Sequence, residues 1–355
     1  MFPSTVRGIG LALFATGVSC AGPAAPSASE DLGVSRSAIL AGTPSDASQD
    51  FAVMLVFSDP ATMTRDICTA ALVAPRLVLT ARHCVADTDA DVACNAMGAP
   101  VRGGVVHAKH DARKLFVFTG RDRPVLDPAT WKPAGQGIEV IDDGSPNLCN
   151  HDIALVLLEK PIDGVPLASL RLDGDAEKDE QLVTIGWGVT QDQNEPAHRQ
   201  QRGGVSVTRV GPNDKDPALT PNEYTFDESI CLGDSGGPIL SQSYSGIVGV
   251  VSRGGNGMSS DTNLSLSCVK ATNLGTKISP FRELLNGAFA KAQAQPVVEV
   301  RPASPPPNTG CTTARRTGPA TPLTALSLLL VGLVARRAAR QRSKSGPSTR
   351  AWNTK

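Results

Sequence analysis

The sequence predicts an all-β or mixed domain with long loops, and three observations carry that prediction. The 355 residues include 34 glycines and 27 prolines, a turn-rich composition that argues against a helical bundle or coiled coil. Hydrophobic residues make up 41% and charged residues 19%, which allows a sizeable core and is too little charge for a disordered chain. Residues 68–80 alternate and are rich in β-branched types, the pattern of a strand, a turn and a second strand. The 34 Lys and Arg balance 34 Asp and Glu, so no global field draws the chain to nucleic acid, and a nucleic-acid partner is disfavoured.

The two ends read as targeting segments. Residues 1–20 carry one positive charge at Arg7, an apolar stretch from Gly8 to Val18 and then small residues, the layout of an export signal. Cys20 also resembles a bacterial lipoprotein cleavage site, although Gly17 stands where that motif wants Leu; the alternative is ordinary cleavage near Ala21. At the other end a Pro-rich linker, 291–310, leads to Cys311 and the tail 311–355. The tail's apolar run from Pro322 to Ala335 has 14 residues, short of the roughly 20 that span a bilayer as a helix. Arg336 and Arg337 follow. This order of Gly-Cys, spacer, Leu-rich run and Arg cluster resembles the myxobacterial C-terminal sorting signals called MYXO-CTERM, and it implies cell-surface or outer-membrane sorting. The basic stretch from Arg340 to Lys355 continues beyond where such tails stop; a simple tail anchor with a positive flank is the alternative.

Between the ends, three motifs converge on one chemistry. Residues 79–84 end in Ala81-Arg82-His83-Cys84; residues 150–158 place Asp152 before the apolar run Ile153 to Leu158; residues 233–238 set Asp234 and Ser235 in a Gly-rich turn. A serine hydroxyl becomes a nucleophile when an imidazole takes its proton, and a carboxylate fixes the imidazole's tautomer. His83, Asp152 and Ser235 supply these roles. The Gly233 and Ser235 amides are the donors chosen for an oxyanion site, each worth about 3 kcal/mol to a transition state. Six of the eight cysteines lie between the ends, and spacing alone leaves their pairing open.

In their order His, Asp, Ser these motifs resemble those of trypsin-like, chymotrypsin-fold serine proteases, over roughly residues 39–290. Gly186-Trp187-Gly188 resembles a turn of the same family. The resemblance implies two six-stranded antiparallel β-barrels with the active site between them and a closing C-terminal helix. Ser279-Pro280 would open that helix, and Phe281, Leu284, Leu285 and Phe289 would form its apolar face. It implies disulfides Cys68–Cys84 and Cys231–Cys268, with Cys94 and Cys149 left for each other, each worth about 2 to 4 kcal/mol. It implies peptide-bond hydrolysis through an acyl-enzyme, with protein or peptide substrates and a proteinaceous inhibitor as candidate partners. It implies a propeptide, 21–38, whose removal frees an Ile39 amine to pair with Asp234. Arg36 lies three positions upstream, so maturation at Ile39 requires cleavage after Ala38.

Counting from the nucleophile, the resemblance puts Ser229 at the base of the primary substrate pocket, where trypsins carry Asp, and so argues against a strong basic preference. Ser252, Arg253 and Gly254 fall on the substrate-binding strand, with Arg253 where an aromatic is usual, and Asn273 falls at a position usually given to Gly. Asp227 would reach the pocket if its loop shifted. His107, His110 and His198 read as surface residues, His151 as a loop residue, and Trp131 and Trp187 as packing residues. The acidic stretch from Asp87 to Asp91 reads as a solvated loop rather than a calcium site. The long segment from Asp87 to Leu148 reads as an insertion of surface loops. No metal or cofactor is implied.

Overall fold

In the computed structural model the described residues are 39–89, 91–212, 219–258 and 263–301. The signal, propeptide and tail segments therefore lie outside them, as do Cys20 and Cys311.

Twelve strands form two closed, antiparallel barrels of six. The first barrel contains β1 (Ala52–Asp59), β2 (Thr64–Ala74), β3 (Leu77–Thr80), β4 (Leu115–Phe118), β5 (Gly135–Ile141) and β6 (Ala154–Leu158). The second contains β7 (Gln181–Gly186), β8 (Gln200–Val210), β9 (Glu223–Phe226), β10 (Pro238–Ser241), β11 (Ile247–Gly255) and β12 (Thr272–Lys277). Around the first barrel the order is β1-β2-β3-β6-β5-β4, and around the second it is β7-β8-β9-β12-β11-β10. The two halves thus share one topology, although no sequence repeat announces it.

Burial explains the strand composition. β1 and β6 are apolar along both faces and buried along nearly their whole length. One face of β1, Val53, Leu55 and Phe57, fills the first barrel with Ala70, Leu72, Val78 and Val117. Met54 and Val56 face outward against Phe118 and Trp187. The second barrel is filled by Leu182, Val205, Val207, Tyr224, Phe226 and Ile239. A third cluster lies between the barrels, where Leu79, Leu155 and Leu157 meet Ile185, Leu240 and Val250. A continuous apolar run is what a strand buried on both sides requires.

The helix α1 (Arg282–Ala292) seals that middle cluster. A single 3-10 turn, Ser279–Phe281, precedes it, and the chain leaves it through Gln293 in the left-handed conformation. Its buried face is Leu285, Ala288, Phe289 and Ala292, while Leu284 is only partly buried, a modest rotation from the sequence expectation. The small alanines let the helix lie close to the barrel strands.

Two expectations are corrected by the packing. The segment from Asp87 to Leu148 is not only surface loop, because it supplies β4 and β5, without which the first barrel would not close. Leu115 and Val117 are fully buried, and Trp131 covers Phe116 and Phe118 from outside. Two short strand pairs, Ala86–Thr88 with Val106–Lys109 and Ala93–Cys94 with Pro100–Arg102, stand in the first part of the segment, and irregular stretches fill much of the rest. Residues 291–301 are not free linker either. Val298 bridges to Leu170, and Glu299 is buried against Arg171 at 2.6 Å. The packed body therefore runs past 290 to Arg301, because an apolar edge and a buried cation await that segment.

Candidate active site

Strand register brings the first two motifs together. β3 and β6 are antiparallel partners with Thr80 opposite Ala154, so the residues just beyond each strand end meet. His83 follows β3 on the 3-10 turn Arg82–Cys84, and Asp152 lies two residues before β6. The Asp152 carboxylate accepts from His83 Nδ1 at 2.9 Å through Oδ2 and from the His83 backbone N–H at 3.0 Å through Oδ1. The second barrel adds the Ser252 hydroxyl, which donates to Oδ2 at 2.6 Å.

The same strand that carries Ser252 holds the Ser235 turn. The Gly236 N–H donates to the Val251 carbonyl at 2.8 Å, and the Val251 N–H donates to Gly237 at 2.9 Å. Thr69 of β2 grips this turn from the first barrel. Its N–H donates to the Ser235 carbonyl at 2.9 Å, its hydroxyl donates to the Gly233 carbonyl at 2.9 Å, and the same oxygen accepts from the Trp187 N–H at 3.0 Å. Sequence reasoning passed over Thr69, since an isolated Thr in an apolar strand carries no chemical signal. Replacing it with valine strands one buried donor and one buried acceptor. Thr69→Val is expected to cost about 2 kcal/mol in urea unfolding and to lower turnover more than it raises KM.

His83, Asp152 and Ser235 line one cavity of about 690 Å³ together with Ser252, Arg253 and Gly254. The imidazole and Ser235 share this cavity, and the hydrogen bonds of the His83 ring nitrogen Nδ1 go to Asp152. Among the described residues, neither the Gly233 nor the Ser235 amide donates a hydrogen bond. Gly233 takes φ +97°, a conformation that L side chains rarely adopt, and a Cβ there would come within 2.9 Å of the Gly188 Cα.

Burial alone would depress the His83 pKa, but the Asp152 charge and hydrogen bond outweigh it and hold it above the ordinary imidazole value. Burial raises Asp152, and the charge of His83 with the hydrogen bonds from His83 and Ser252 brings it below its usual value. The pair thus favours an ionised carboxylate beside an imidazole made more basic by it.

Asp234 is fully buried; its oxygens accept from the Gly188 N–H at 2.8 Å and the Cys231 N–H at 2.9 Å. A Cβ at Gly188 would lie 2.5 Å from the Asp234 Cγ, so this turn needs glycine to let the carboxylate in. Among the described residues no cation pairs with Asp234, and burial raises its pKa to about 7. The folded chain therefore binds this proton more tightly than the unfolded chain, which titrates near 3.8. Stability falls as pH rises through the window from about 4 to 7. Relative to Asp234→Asn, the uncleaved wild type is expected to lose on the order of 4 kcal/mol across that window, read from urea midpoints.

The other sequence-predicted residues divide. Ser252, Arg253 and Gly254 line the cavity, but Ser229 and Asn273 are buried behind its wall rather than among its lining residues. The Asn273 amide donates to the Asp227 carbonyl at 3.0 Å, and its Oδ1 lies against Gly254. Asp227 is exposed and accepts from the Ser206 N–H, away from the cavity. Ile230, Val251 and Leu274, with Val92, Leu148 and Leu232, form the apolar part of the wall; sequence reading did not single them out, because isolated apolar residues carry no chemical signal. Asp89 and Asp91 also line the cavity, and Asp89 accepts from His107 at 2.7 Å. His110 is not a simple surface residue: its ring stacks on Phe57 at 3.7 Å. Disulfides join Cys68 to Cys84, Cys94 to Cys149 and Cys231 to Cys268. The first clamps the turn that bears His83, and the third braces the cavity wall.

Two six-stranded barrels of one topology, with His83, Asp152 and Ser235 lining one cavity, have the architecture of the serine protease type of hydrolase. The chain matches the family described as Trypsin over residues 39–267 and belongs to it. A search of the curated proteins found no match.

Proposed function

We propose that the protein is an exported serine endopeptidase in which Ser235 attacks the scissile carbonyl, His83 takes and returns the proton, and Asp152 orients His83. The observation that carries this reading is the His83–Asp152 hydrogen bond on the cavity that Ser235 also lines, with the Gly233 and Ser235 amides free beside it. Attack forms the tetrahedral adduct, whose oxyanion receives these two N–H groups; collapse expels the amine with the His83 proton and leaves an acyl-Ser235 ester, which water hydrolyses by the same steps.

Ile230, Val251 and Leu274 support an apolar substrate side chain at the primary pocket. Ser229, which the family resemblance puts at the pocket base, is fully buried and carries no carboxylate to favour a basic one. Maturation at Ile39 is supported by the burial of Ile39 and by the packing of Leu40 on Val189, Cys231 and Cys268, beside the turn that carries Asp234. A freed Ile39 ammonium would supply the cation that Asp234 lacks in the uncleaved chain. Export is supported by the N-terminal signal pattern and by three disulfides, which persist in oxidising compartments. Surface sorting rests on the tail pattern alone. Among the described residues no helix is long and apolar enough to cross a membrane.

Labelling with a fluorophosphonate tests the reading directly, because only an activated serine reacts. Wild-type protein with Ile39 at its N-terminus is expected to label at Ser235 and to cleave peptides after apolar residues. Absence of both in that correctly cleaved protein overturns the assignment.

A further inference from the structure

Arg253 lies where this family usually has an aromatic, and its surroundings show what it does instead. Its two terminal nitrogens bind the Glu223 carboxylate at 2.6 and 2.9 Å. Glu223 is fully buried at the start of β9, so its charge depends on this partner. The same Arg253 Nη1 reaches the Ser252 hydroxyl at 3.3 Å, and that hydroxyl is 2.6 Å from Asp152.

We propose that Glu223 and Arg253 are positioning residues that extend the hydrogen-bonded chain behind His83 and fix its polarity through Ser252. The proposal rests on the serine-protease reading of the site. A serine hydroxyl has one proton to donate, and a guanidinium only donates. With an Arg253 N–H directed at its lone pair, Ser252 has its proton free for Asp152. Asp152 then keeps both oxygens as acceptors, and His83 keeps its proton on Nδ1 and its lone pair on Nε2, toward the cavity. Glu223 holds the guanidinium in the plane that makes this contact and neutralises it.

Arg253 also bears on His83 through space: its cation opposes protonation of the imidazole. The charged groups around the two are few. Asp152 and Arg253 face His83, while Asp89, Asp91 and Arg102 line the same cavity; Glu223, the Ser252 hydroxyl and Cys94 Sγ face Arg253.

The test compares Arg253→Gln, Glu223→Gln, the double variant and Arg253→Lys in otherwise unchanged, mature protein. Two readouts are taken: kcat and KM on a peptide against pH, and the His83 imidazole titration by NMR of 13C-histidine-labelled protein. Arg253→Gln is expected to raise the acid limb and the His83 midpoint by about half a pH unit, and to lower kcat about tenfold at constant KM. Glu223→Gln, which leaves the cation unopposed, is expected to move both midpoints down. Arg253→Lys is expected to restore the midpoint while recovering only part of kcat, since it keeps the charge and loses the fork. Unchanged midpoints in both single variants, or losses confined to KM, overturn the proposal. Should Arg253→Gln fail to fold around an unpaired Glu223, the double variant leaves no buried charge, and a wild-type kcat in it overturns the proposal equally. Wild type that hydrolyses no peptide would sink the protease reading, whereas the NMR midpoints still decide this one.

Discussion

Replacing Ser235 by alanine is expected to lower kcat by about a million-fold, and replacing His83 by alanine to do nearly the same. In the proposed mechanism nucleophile and base act as one unit, so the double replacement is expected to add little: without the imidazole the hydroxyl would not be activated, and without the hydroxyl the imidazole would have nothing to activate. Stability is expected to change little in Ser235→Ala, since the turn is held by backbone bonds from Thr69, Gly236 and Gly237 rather than by the Ser235 side chain. Single-turnover hydrolysis of an activated ester with mature protein measures the effect. A residual rate within tenfold of wild type would mean that another group performs the attack.

Asp152→Asn is expected to lower kcat by about ten thousand-fold while leaving the fold intact, and the geometry dictates why. The Asp152 Oδ1 accepts the His83 backbone N–H, which only donates, so an asparagine must put its oxygen there. Its NH2 group then occupies the Oδ2 site, 2.9 Å from His83 Nδ1, and donates to that nitrogen. The imidazole proton is driven to Nε2, the nitrogen that must accept from Ser235. The sign of the pH effect follows as well. Asp152 raises the His83 pKa, so the acid limb of kcat/KM in the variant should shift to lower pH. An asparagine variant retaining more than a tenth of wild-type kcat would show that Asp152 does not set the tautomer.

The chemical part of the site was legible in the residues because its groups are rare and stand in short motifs. A histidine beside a cysteine after an apolar strand, an aspartate before a buried strand and a serine among glycines each carry meaning locally. Gly188 is marked only by the family resemblance of its turn; the room that its missing side chain leaves for Asp234 appears only in the fold. Thr69, Glu223, Ile230 and Leu274 could not be found that way. None carries a local chemical signal: Thr69 and Glu223 act through partners 164 and 30 positions away, and Ile230 and Leu274 are apolar residues whose place on the cavity wall appears only in the fold. The family resemblance places Ser229 and Asn273 at the pocket; in the fold both are fully buried, and the Asn273 amide is engaged by the Asp227 carbonyl.

From the chain alone came the strand-rich class and the three motifs that carry the proposed trio, since each follows from residue type and short spacing, while the cysteine pairing came from the family resemblance. Folding decided which apolar stretches close a barrel, where the body ends near Arg301, and what stands behind Asp152. These outcomes depend on long-range strand register and on which charges can be buried only together, energies that exist only after distant segments have met.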